Sequence, residues 1–333
     1  MSVGVACLAA CAHVFAQSSV NNSGASGAQF LSIGVGARAM GMGGAYTTVA
    51  NDPTALYWNP AGITRAKGIE FLAAHTNWAA DISHYFAGAT VPLTSQLTVG
   101  AGAIVLSSGE IEITTVEQPR GTGETYEARD LAAVAALAWA ATEQLTFGVT
   151  FKYIHQEISS LASSGVAFDA GVQFNTEFHS VQVALSVSNL GAQRGFSGKE
   201  LEFQQTPPYP GAEPIRAAYY NTPFSLPLTY RAGICAEMFE VINGIAGDQR
   251  FLVAVDLEQT SDNLEKFHGG MEYAWHELFF VRTGYIFNAA ELGINFGFGV
   301  RWILYSMTMF ADYAYSDLGR FMAGHRFSVG LGL

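Results

Sequence analysis

From residue 69 to the end of the chain, apolar residues alternate with small or polar ones in segments separated by turn residues. Alternation with a period of two is typical of β-strands that have two different environments on their two faces. We predict fourteen strands, over residues 69–77, 83–91, 96–107, 130–140, 144–157, 165–175, 180–189, 226–237, 250–259, 265–275, 278–287, 292–302, 305–316 and 323–333. Strands of this length suit a membrane β-barrel, whose strands cross the bilayer with about 9–11 residues.

The connections between these strands are alternately short and long. The short ones are 92–95, 141–143, 176–179, 276–277 and 303–304, and 238–249 is a longer connection of the same parity. The two longest connections, 108–129 and 190–225, have the other parity. Outer-membrane barrels have short periplasmic turns and long external loops. We therefore expect both termini on the periplasmic side.

The alternation also separates apolar from charged positions. One face of the segments is apolar, as with Phe147, Val149 and Phe151, and the charges fall on the opposite face. A charge facing lipid at the bilayer midplane costs about 2–4 kcal/mol, whereas a charge in the lumen is hydrated or paired. We predict lumen positions for Lys152, Asp169, Arg231, Asp256, Glu272, Arg282, Arg301, Asp312 and Arg326. Salt bridges that brace the wall are the simpler interpretation, and a permeation or ligand site is the alternative.

Trp and Tyr residues collect at the ends of the predicted strands, as they do at the two headgroup levels of a membrane. The periplasmic set is Trp139, Trp275, Trp302 and Tyr305. The external set is Trp78, Tyr153, Tyr285, Tyr313 and Tyr315.

Composition and charge narrow the class of protein further. Half of the 333 residues are hydrophobic but only 13% are charged, against about 25% in soluble proteins. The longest apolar run, 131–141, is too short for a transmembrane helix of roughly 18 residues or more. The net charge of −12 argues against a nucleic-acid partner, for which a basic surface is expected. The expected surroundings are outer-membrane lipid.

The chain begins with an apolar stretch over 3–15, and Val14-Phe15-Ala16 is typical of a signal-peptidase site. We predict a signal peptide over 1–16, with a lipoprotein cleavage before Cys11 as the alternative. Cys235 is then the one cysteine left, so no disulfide framework is expected. Residues 17–68 lack strand periodicity and form a periplasmic or plug segment, and residues 69–333 form the barrel.

Many predicted lumen positions are glycine, which leaves space inside the barrel. They are Gly100, Gly102, Gly148, Gly171, Gly284, Gly297, Gly299, Gly330 and Gly332. The stretch before the barrel is rich in Gly, Ala and turn-forming residues, and we predict that it fills this space as a plug. Tyr46, Tyr57 and Trp58 would then pack against the wall or, alternatively, contact a hydrophobic ligand.

The same stretch resembles the opening signature of the PorV/PorQ family, which is related to the FadL fatty-acid transporters. The matching residues are 36–45 (Gly-Ala-Arg-Ala-Met-Gly-Met-Gly-Gly-Ala), 51–55 (Asn-Asp-Pro-Thr-Ala) and 58–62 (Trp-Asn-Pro-Ala-Gly). Weaker similarities follow at 145–154, 169–172, 188–191, 226–228, 231–233, 282–285, 312–315 and 325–328. The resemblance covers nearly the whole mature chain.

The resemblance implies a FadL-like barrel of fourteen strands, plugged by its N-terminal segment. The plug motif would be Asn51, Asp52, Pro53, Trp58, Asn59, Pro60, Ala61 and Gly62. It also implies a role in type IX protein secretion, docking or shuttling secreted cargo and contacting other secretion components. The wider FadL family implies the alternative, transport of hydrophobic small molecules such as long-chain fatty acids through a lateral opening.

Enzyme chemistry is not expected from this sequence, nor is a cofactor. The eight histidines are scattered without metal-ligand spacing. The glycine-rich run 34–44 is not followed by Gly-Lys-Ser/Thr, so it does not match a phosphate-binding loop. A hydrolase that uses a serine with His155 or His268 is the remaining enzymatic alternative.

An apolar tunnel would favour the transporter, and exposed long loops, the second of them rich in aromatic residues, would favour docking.

Overall fold

Fourteen antiparallel strands close into one barrel in the computed structural model, which describes residues 24–78, 82–176, 178, 180–209, 213–243, 248–288, 293–317, 319 and 323–333. The predicted signal peptide and residues 17–23 lie outside the described residues. The barrel strands are β1 (Glu70–Asn77), β2 (Ser83–Pro92), β3 (Leu97–Glu112), β4 (Thr125–Ala140), β5 (Leu145–Ile158), β6 (Leu161–Asn175), β7 (Gln182–Gly191), β10 (Thr229–Glu237), β11 (Gln249–Thr260), β12 (Lys266–Trp275), β13 (Phe279–Phe287), β14 (Ile294–Leu304), β15 (Met307–Asp317) and β16 (Ala323–Gly332).

Each barrel strand pairs with its neighbours in chain order, and β1 closes the barrel against β16. The closing register runs from Glu70 opposite Gly332 to Asn77 opposite His325. β7 pairs directly with β10 because β8 (Glu202–Gln205) and β9 (Ile215–Ala218) form a separate hairpin in the long connection between them. The predicted fourteen-strand antiparallel barrel is confirmed.

The two faces of the wall have the polarity that the alternation predicted. In β5, Phe147, Val149 and Phe151 are exposed on the outside, whereas the intervening Thr150 and Lys152 are buried in the lumen. A soluble β-sandwich has the opposite arrangement, with its large apolar side chains buried. A closed barrel pairs the backbone of every wall strand, which hydrocarbon surroundings require. The exterior is therefore suited to lipid.

Several strands extend beyond their predicted ends on the long-loop side. β3 continues to Glu112 and β4 begins at Thr125, with an irregularity in the register between Ser107 and Glu110. These extensions, and the β8–β9 hairpin, were not predicted. Outside the hydrocarbon layer both faces of a strand meet water, so the apolar–polar alternation disappears while the backbone pairing continues.

The core of the molecule is the N-terminal segment (residues 24–68), which lies inside the barrel. It contains the 3-10 turn Gln29–Ser32, helix α1 (Ala37–Gly41), helix α2 (Ala55–Trp58) and the 3-10 helix Pro60–Arg65. Helix α3 (Met238–Asn243) lies in the connection between β10 and β11. No helix in the described parts of the chain is long and apolar enough to cross a membrane.

Local chemistry fixes the turns of the N-terminal segment. The Asn59 side chain accepts a hydrogen bond from the Ala61 backbone N–H, and Pro60 occupies the first position of the following 3-10 helix. An Asn cap followed by Pro is a strong helix start. Gly36, just before α1, has a φ of 84°, which a residue with a Cβ adopts only with strain.

Candidate functional site

The N-terminal segment crosses the barrel from one end to the other. At the long-loop end, the Ser26 hydroxyl contacts Asp262, and the Gln29 amide donates to the same carboxylate at 2.5 Å. At the short-turn end, the Leu333 N–H donates to the Ile69 carbonyl at 2.9 Å, where β1 begins. Ser26 and Leu333 therefore lie at opposite ends of the barrel, and these described ends do not share one side as the expectation of two periplasmic termini required. Which end is periplasmic stays a prediction.

Wall glycines lie where the N-terminal segment touches the wall. A Cβ at Gly148 would overlap the Pro60–Ala61 backbone, and one at Gly171 would overlap the Asn59 side chain. On the other side of the barrel, Gly284 and Gly297 approach residues 41–43, and Gly100 and Gly102 lie against Leu56. Gly299 and Gly330 differ from this pattern, since their neighbours are the wall side chains Asp312, Arg282 and Phe310.

Arg38 of α1 lies at the centre of a charged cluster in the half of the lumen nearer the short-turn end. Its guanidinium donates to both oxygens of Glu272, at 2.9 Å and 3.1 Å. Arg282 and Arg250 reach the same carboxylate from the wall, at 2.6 Å and 2.9 Å, and Arg282 also pairs with Asp312 at 2.5 Å. Such forked, charge-assisted contacts are among the stronger hydrogen bonds in proteins. Through Glu272 they connect the segment to a charged network on four strands of the wall, β11, β12, β13 and β15.

Around Arg38, the plug motif makes a second set of polar contacts. Asn51 is exposed, and its side-chain oxygen accepts a hydrogen bond from Arg38 at 2.7 Å. Asp52 is buried and accepts hydrogen bonds from the Tyr46 hydroxyl at 2.6 Å and the Thr54 N–H at 2.8 Å.

Asp256 of the wall binds the backbone of the segment directly. Its carboxylate accepts hydrogen bonds from the Tyr46 N–H at 2.9 Å and the Thr47 N–H at 2.7 Å. The side chain of Asn59 donates to the Thr47 carbonyl at 3.1 Å and to the Val172 carbonyl of β6 at 3.2 Å. These contacts fix the middle of the segment to the wall at β11 and at β6, with β10 and β7 between them.

The aromatic residues of the segment pack among one another and against a cation of the wall. Trp58 donates through its indole nitrogen to the Val35 carbonyl at 3.0 Å. The Arg231 guanidinium lies over the rings of Tyr57 and Trp58, at 5.4 Å and 5.2 Å from the ring centroids. Tyr46, Tyr57 and Trp58 are all buried. Packing accounts for their present contacts, and the ligand-contact alternative remains a hypothesis.

Two further pairs that include predicted lumen charges lie nearer the long loops than the Arg38 cluster. Lys152 pairs with Asp169 at 2.7 Å, and Arg231 pairs with Glu258 at 2.8 Å. Arg301 differs from the other predicted charges because its side chain is 32% exposed; it pairs with Glu277 at 3.1 Å near the short-turn end. The other eight predicted charges are buried.

The surroundings of Arg326 show that the sequence expectation for Trp78 is wrong. It is buried in the lumen, donates to the Ser316 hydroxyl at 2.6 Å, and lies 5.2 Å from the Trp78 ring centroid. Trp78 therefore packs against a lumen cation, and its predicted place in the external aromatic girdle is wrong. Trp78 has the same parity as Leu72, Ala74 and Thr76, the buried positions of β1, so the alternation itself points it into the lumen. Its partner Arg326 comes near only through closure of the barrel.

At the long-loop end, the mouth loop (residues 192–228), which was predicted as an exposed, aromatic-rich loop, pairs with both the wall and the N-terminal segment. Ser197 pairs with Ala162 of β6, Arg194 with Phe224, and Ser225 with Ser26. The Arg194 guanidinium is buried and donates to the Gln156 amide oxygen at 2.5 Å. A ladder of backbone pairs thus connects the wall, the mouth loop and the N-terminal segment.

A cavity of about 870 Å³, the vestibule, opens at the short-turn end. Its lining includes Arg38, Asn51, Arg65, Cys235, Glu277 and Arg301. Arg38 and Asn51 belong to the N-terminal segment, so the segment forms part of the vestibule wall. The lining is strongly charged with both signs, which favours water and polar groups inside it.

Neither histidine named for the hydrolase alternative lines the vestibule. His155 contacts the Ser164 hydroxyl through Nδ1 at 2.8 Å on the exposed side of the wall. His268 contacts the Gly43 carbonyl at 2.7 Å within the packed lumen. Among the described residues, no three His, Cys, Asp or Glu side chains gather in a metal-binding arrangement. The absence of enzymatic activity stays a prediction.

Neither the protein-family models nor the curated proteins include a match to this chain. The solved structures do include similar barrels. The CymD monoaromatic hydrocarbon channel is 12% identical, with a TM-score of 0.56 over 90% of this chain and 96% of that one. The Pseudomonas putida toluene transporter TodX is 13% identical, with a TM-score of 0.55 over 90% and 97%. A Pseudomonas aeruginosa FadL homologue is 11% identical, with a TM-score of 0.54 over 89% and 97%.

These similarities establish the fold as that of a FadL-like transmembrane β-barrel. The identities are too low to carry an activity across. The resemblance to the PorV/PorQ family therefore rests on the sequence motifs alone.

Proposed function

We propose that this chain is an outer-membrane channel for hydrophobic small molecules, and that its N-terminal segment controls passage. The observation that carries the proposal is a lumen occupied along its length by a segment that is held through non-covalent contacts. The segment packs closely against glycines of the wall, and ionic contacts around Arg38 and Glu272 hold it in place. The similar barrels named as hydrocarbon channels and toluene transporters support the choice of substrate class.

The lipid-facing exterior supports an outer-membrane location, with the long loops outside. On this proposal, the mouth loop covers the external entrance, and release of the segment connects the lumen to the vestibule. The salt bridges of the wall then brace the barrel around the moving part. No catalytic step, cofactor or metal belongs to this function.

A second candidate is the docking of secreted cargo, as in the PorV/PorQ proteins of type IX secretion. One observation favours it: the β8–β9 hairpin carries aromatic side chains that face water. Phe203 and Tyr219 pair at 4.8 Å on the hairpin, and Tyr220 is 89% exposed beside it. Exposed aromatic residues are enriched in protein-binding surfaces.

A reversible lock tests the channel proposal. The Ala37 backbone N–H donates to the Ser328 hydroxyl of β16 at 2.8 Å, so α1 and β16 lie close together here, and the pair A37C/S328C in a C235S background introduces one thiol on each side of this contact. Uptake of toluene and of a long-chain fatty acid is measured in cells with the oxidised and the reduced variant. We expect oxidation to stop uptake and reduction to restore it, because the disulfide fixes α1 to the wall. Equal uptake in both states would remove the channel proposal.

Deletion of residues 202–218 separates the two candidates. The deletion removes the hairpin but no barrel strand. The channel proposal predicts unchanged uptake by the deleted protein, whereas the docking candidate predicts loss of cargo secretion. If uptake and secretion both persist in the deletion variant and in the oxidised lock, both candidates are wrong.

A further inference from the structure

The outer wall carries a groove of about 370 Å³ across β16, β1, β2 and β3. Its floor is formed by Ala73, Ala87 and Ala103, which are direct cross-strand neighbours. Phe327 and Val329 of β16 border it, and both are more than half exposed, at 52% and 59%. The groove lies on the lipid-facing side of the barrel.

Small side chains cause the groove. In the next outward-facing row below the floor, Phe71 of β1 is followed by alanines on β2, β3 and β4, with Ala89 opposite Ala101 and Ala101 opposite Ala135. Outward positions on the far side of the barrel carry large side chains instead, among them Phe168 of β6, Leu185 of β7 and Val255 of β11. The depression is therefore local to one side of the wall, and alanine lets another molecule approach the backbone closely.

A rim of rings closes the groove towards the long-loop end. The His75 and Tyr85 rings stack with centroids 4.7 Å apart, and His75 is also the register partner of Phe327. The Nδ1 atom of His75 is buried and has no hydrogen-bond partner among the described residues. His75 lies two residues from the end of β1 at Asn77, which is about 7 Å at roughly 3.3 Å per residue.

That depth places the rim at the headgroup level and the alanine floor in the hydrocarbon layer. On neighbouring strands the ring cluster continues with Tyr313, whose hydroxyl lies 2.8 Å from Nδ1 of His325. The groove thus has an apolar floor below and hydrogen-bonding rings above. This is the polarity profile of one membrane lipid, with its chain below and its head above.

We propose that the groove binds one acyl chain of a membrane lipid, with the polar head of the lipid against the His75–Tyr85 rim. Only molecules dissolved in the bilayer reach this face of the barrel. The volume of about 370 Å³ corresponds to about a dozen groups of water size, at ~30 Å³ each. A chain seated on the alanine floor gains dispersion contacts that a flat wall does not offer.

The test uses the full barrel in nanodiscs that contain a phospholipid with a photoactivatable diazirine in its acyl chain. After illumination, labelled peptides are mapped by mass spectrometry. We expect labels on β1, β2 and β3 to exceed those on the other lipid-facing strands several-fold. The variant A87F fills the groove and should abolish that excess.

Ala170 provides the matched control, because it is also an exposed, outward-facing alanine but lies on β6, outside the groove. The variant A170F should keep the wild-type labelling pattern, and heat-modifiable gel migration verifies that both variants fold. Uniform labelling of the wild type, or an A87F pattern equal to wild type, would overturn the proposal. Disulfide-linked dimers of an A87C/C235S variant in the membrane would also overturn it, since the occupant would then be a second copy. None of these readouts depends on channel activity.

Discussion

At the scale of single residues, Arg38 is the side chain that most directly links the N-terminal segment to the wall. Its guanidinium forks onto Glu272, which two wall arginines, Arg250 and Arg282, also hold. Loss of Arg38 therefore leaves Glu272 paired and the wall intact. The free energy lost is that of holding the segment, about 1.5–3 kcal/mol for hydrogen bonds to a charged partner.

We predict that R38M raises the fraction of molecules whose N-terminal segment is released from the wall by roughly tenfold to a hundredfold, since each 1.4 kcal/mol is about a factor of ten. The measurement is the rate at which a polar thiol reagent modifies Cys235, a buried residue that lines the vestibule. The matched control is R129M, because Arg129 also pairs with a carboxylate, Glu127 at 2.6 Å, but its side chain is 68% exposed. Exposed pairs contribute about 0–1 kcal/mol, so R129M should react like the wild type. A wild-type rate in R38M would show that Arg38 does not hold the segment.

At the scale of elements, the fit between β5 and the 3-10 helix Pro60–Arg65 depends on one missing side chain. Gly148 faces the Pro60–Ala61 backbone at a distance that leaves no space for a Cβ. The facing atoms belong to a capped turn, which cannot yield as a flexible side chain does. An added methyl group must therefore displace the turn or bend the strand.

We predict that G148A destabilises the barrel by about 1–3 kcal/mol, as overpacked cores generally do. The midpoint of the heat-induced gel shift measures the change. G269A is the control, because Gly269 is also a strand glycine, yet its nearest heavy atom would be the Phe287 ring at 3.8 Å. Ala there should be neutral or slightly stabilising, by less than about 1 kcal/mol. Equal midpoints for the two variants would contradict the tight fit.

At the scale of the whole molecule, the N-terminal segment passes through the barrel from the long-loop end to the short-turn end. Ala25, next to the Ser26 contact, is exposed at the first end, and Ser306 is exposed at the second. The sequence predicted that this segment plugs the barrel, but not that it runs from the long-loop end to the short-turn end. If the long loops face outwards, these two residues lie on opposite sides of the membrane.

We predict that an impermeant maleimide labels A25C but not S306C on intact cells, each in a C235S background. Both changes replace a small exposed residue by cysteine, so each variant serves as the control for the other. Labelling of S306C alone would reverse the assigned orientation. Labelling of both would contradict the crossing of the barrel by the segment.

The sequence alone determined the fourteen strands and the orientation of their faces. Hydrocarbon outside and a polar lumen inside act on every residue of a spanning strand, as in Phe147 to Lys152 of β5, so the pattern repeats along the chain. The same reasoning predicted lumen positions for the glycines and charges named above. β3 and β4 extend beyond the hydrocarbon layer, where both faces of a strand meet water and the alternation is lost. The predicted strands therefore ended too early there.

Tertiary structure alone decided which of these residues meet. Arg38 and Glu272 are 234 positions apart, and no local periodicity selects one carboxylate among several on the same face. Trp78 was assigned to the girdle because strand ends favour aromatic residues, yet closure of the barrel brings Arg326 beneath its ring. The pairing of the mouth loop, the path of the segment and the outer groove likewise arise from contacts between distant strands. Such contacts are fixed by packing inside a closed wall, which a one-dimensional pattern does not encode.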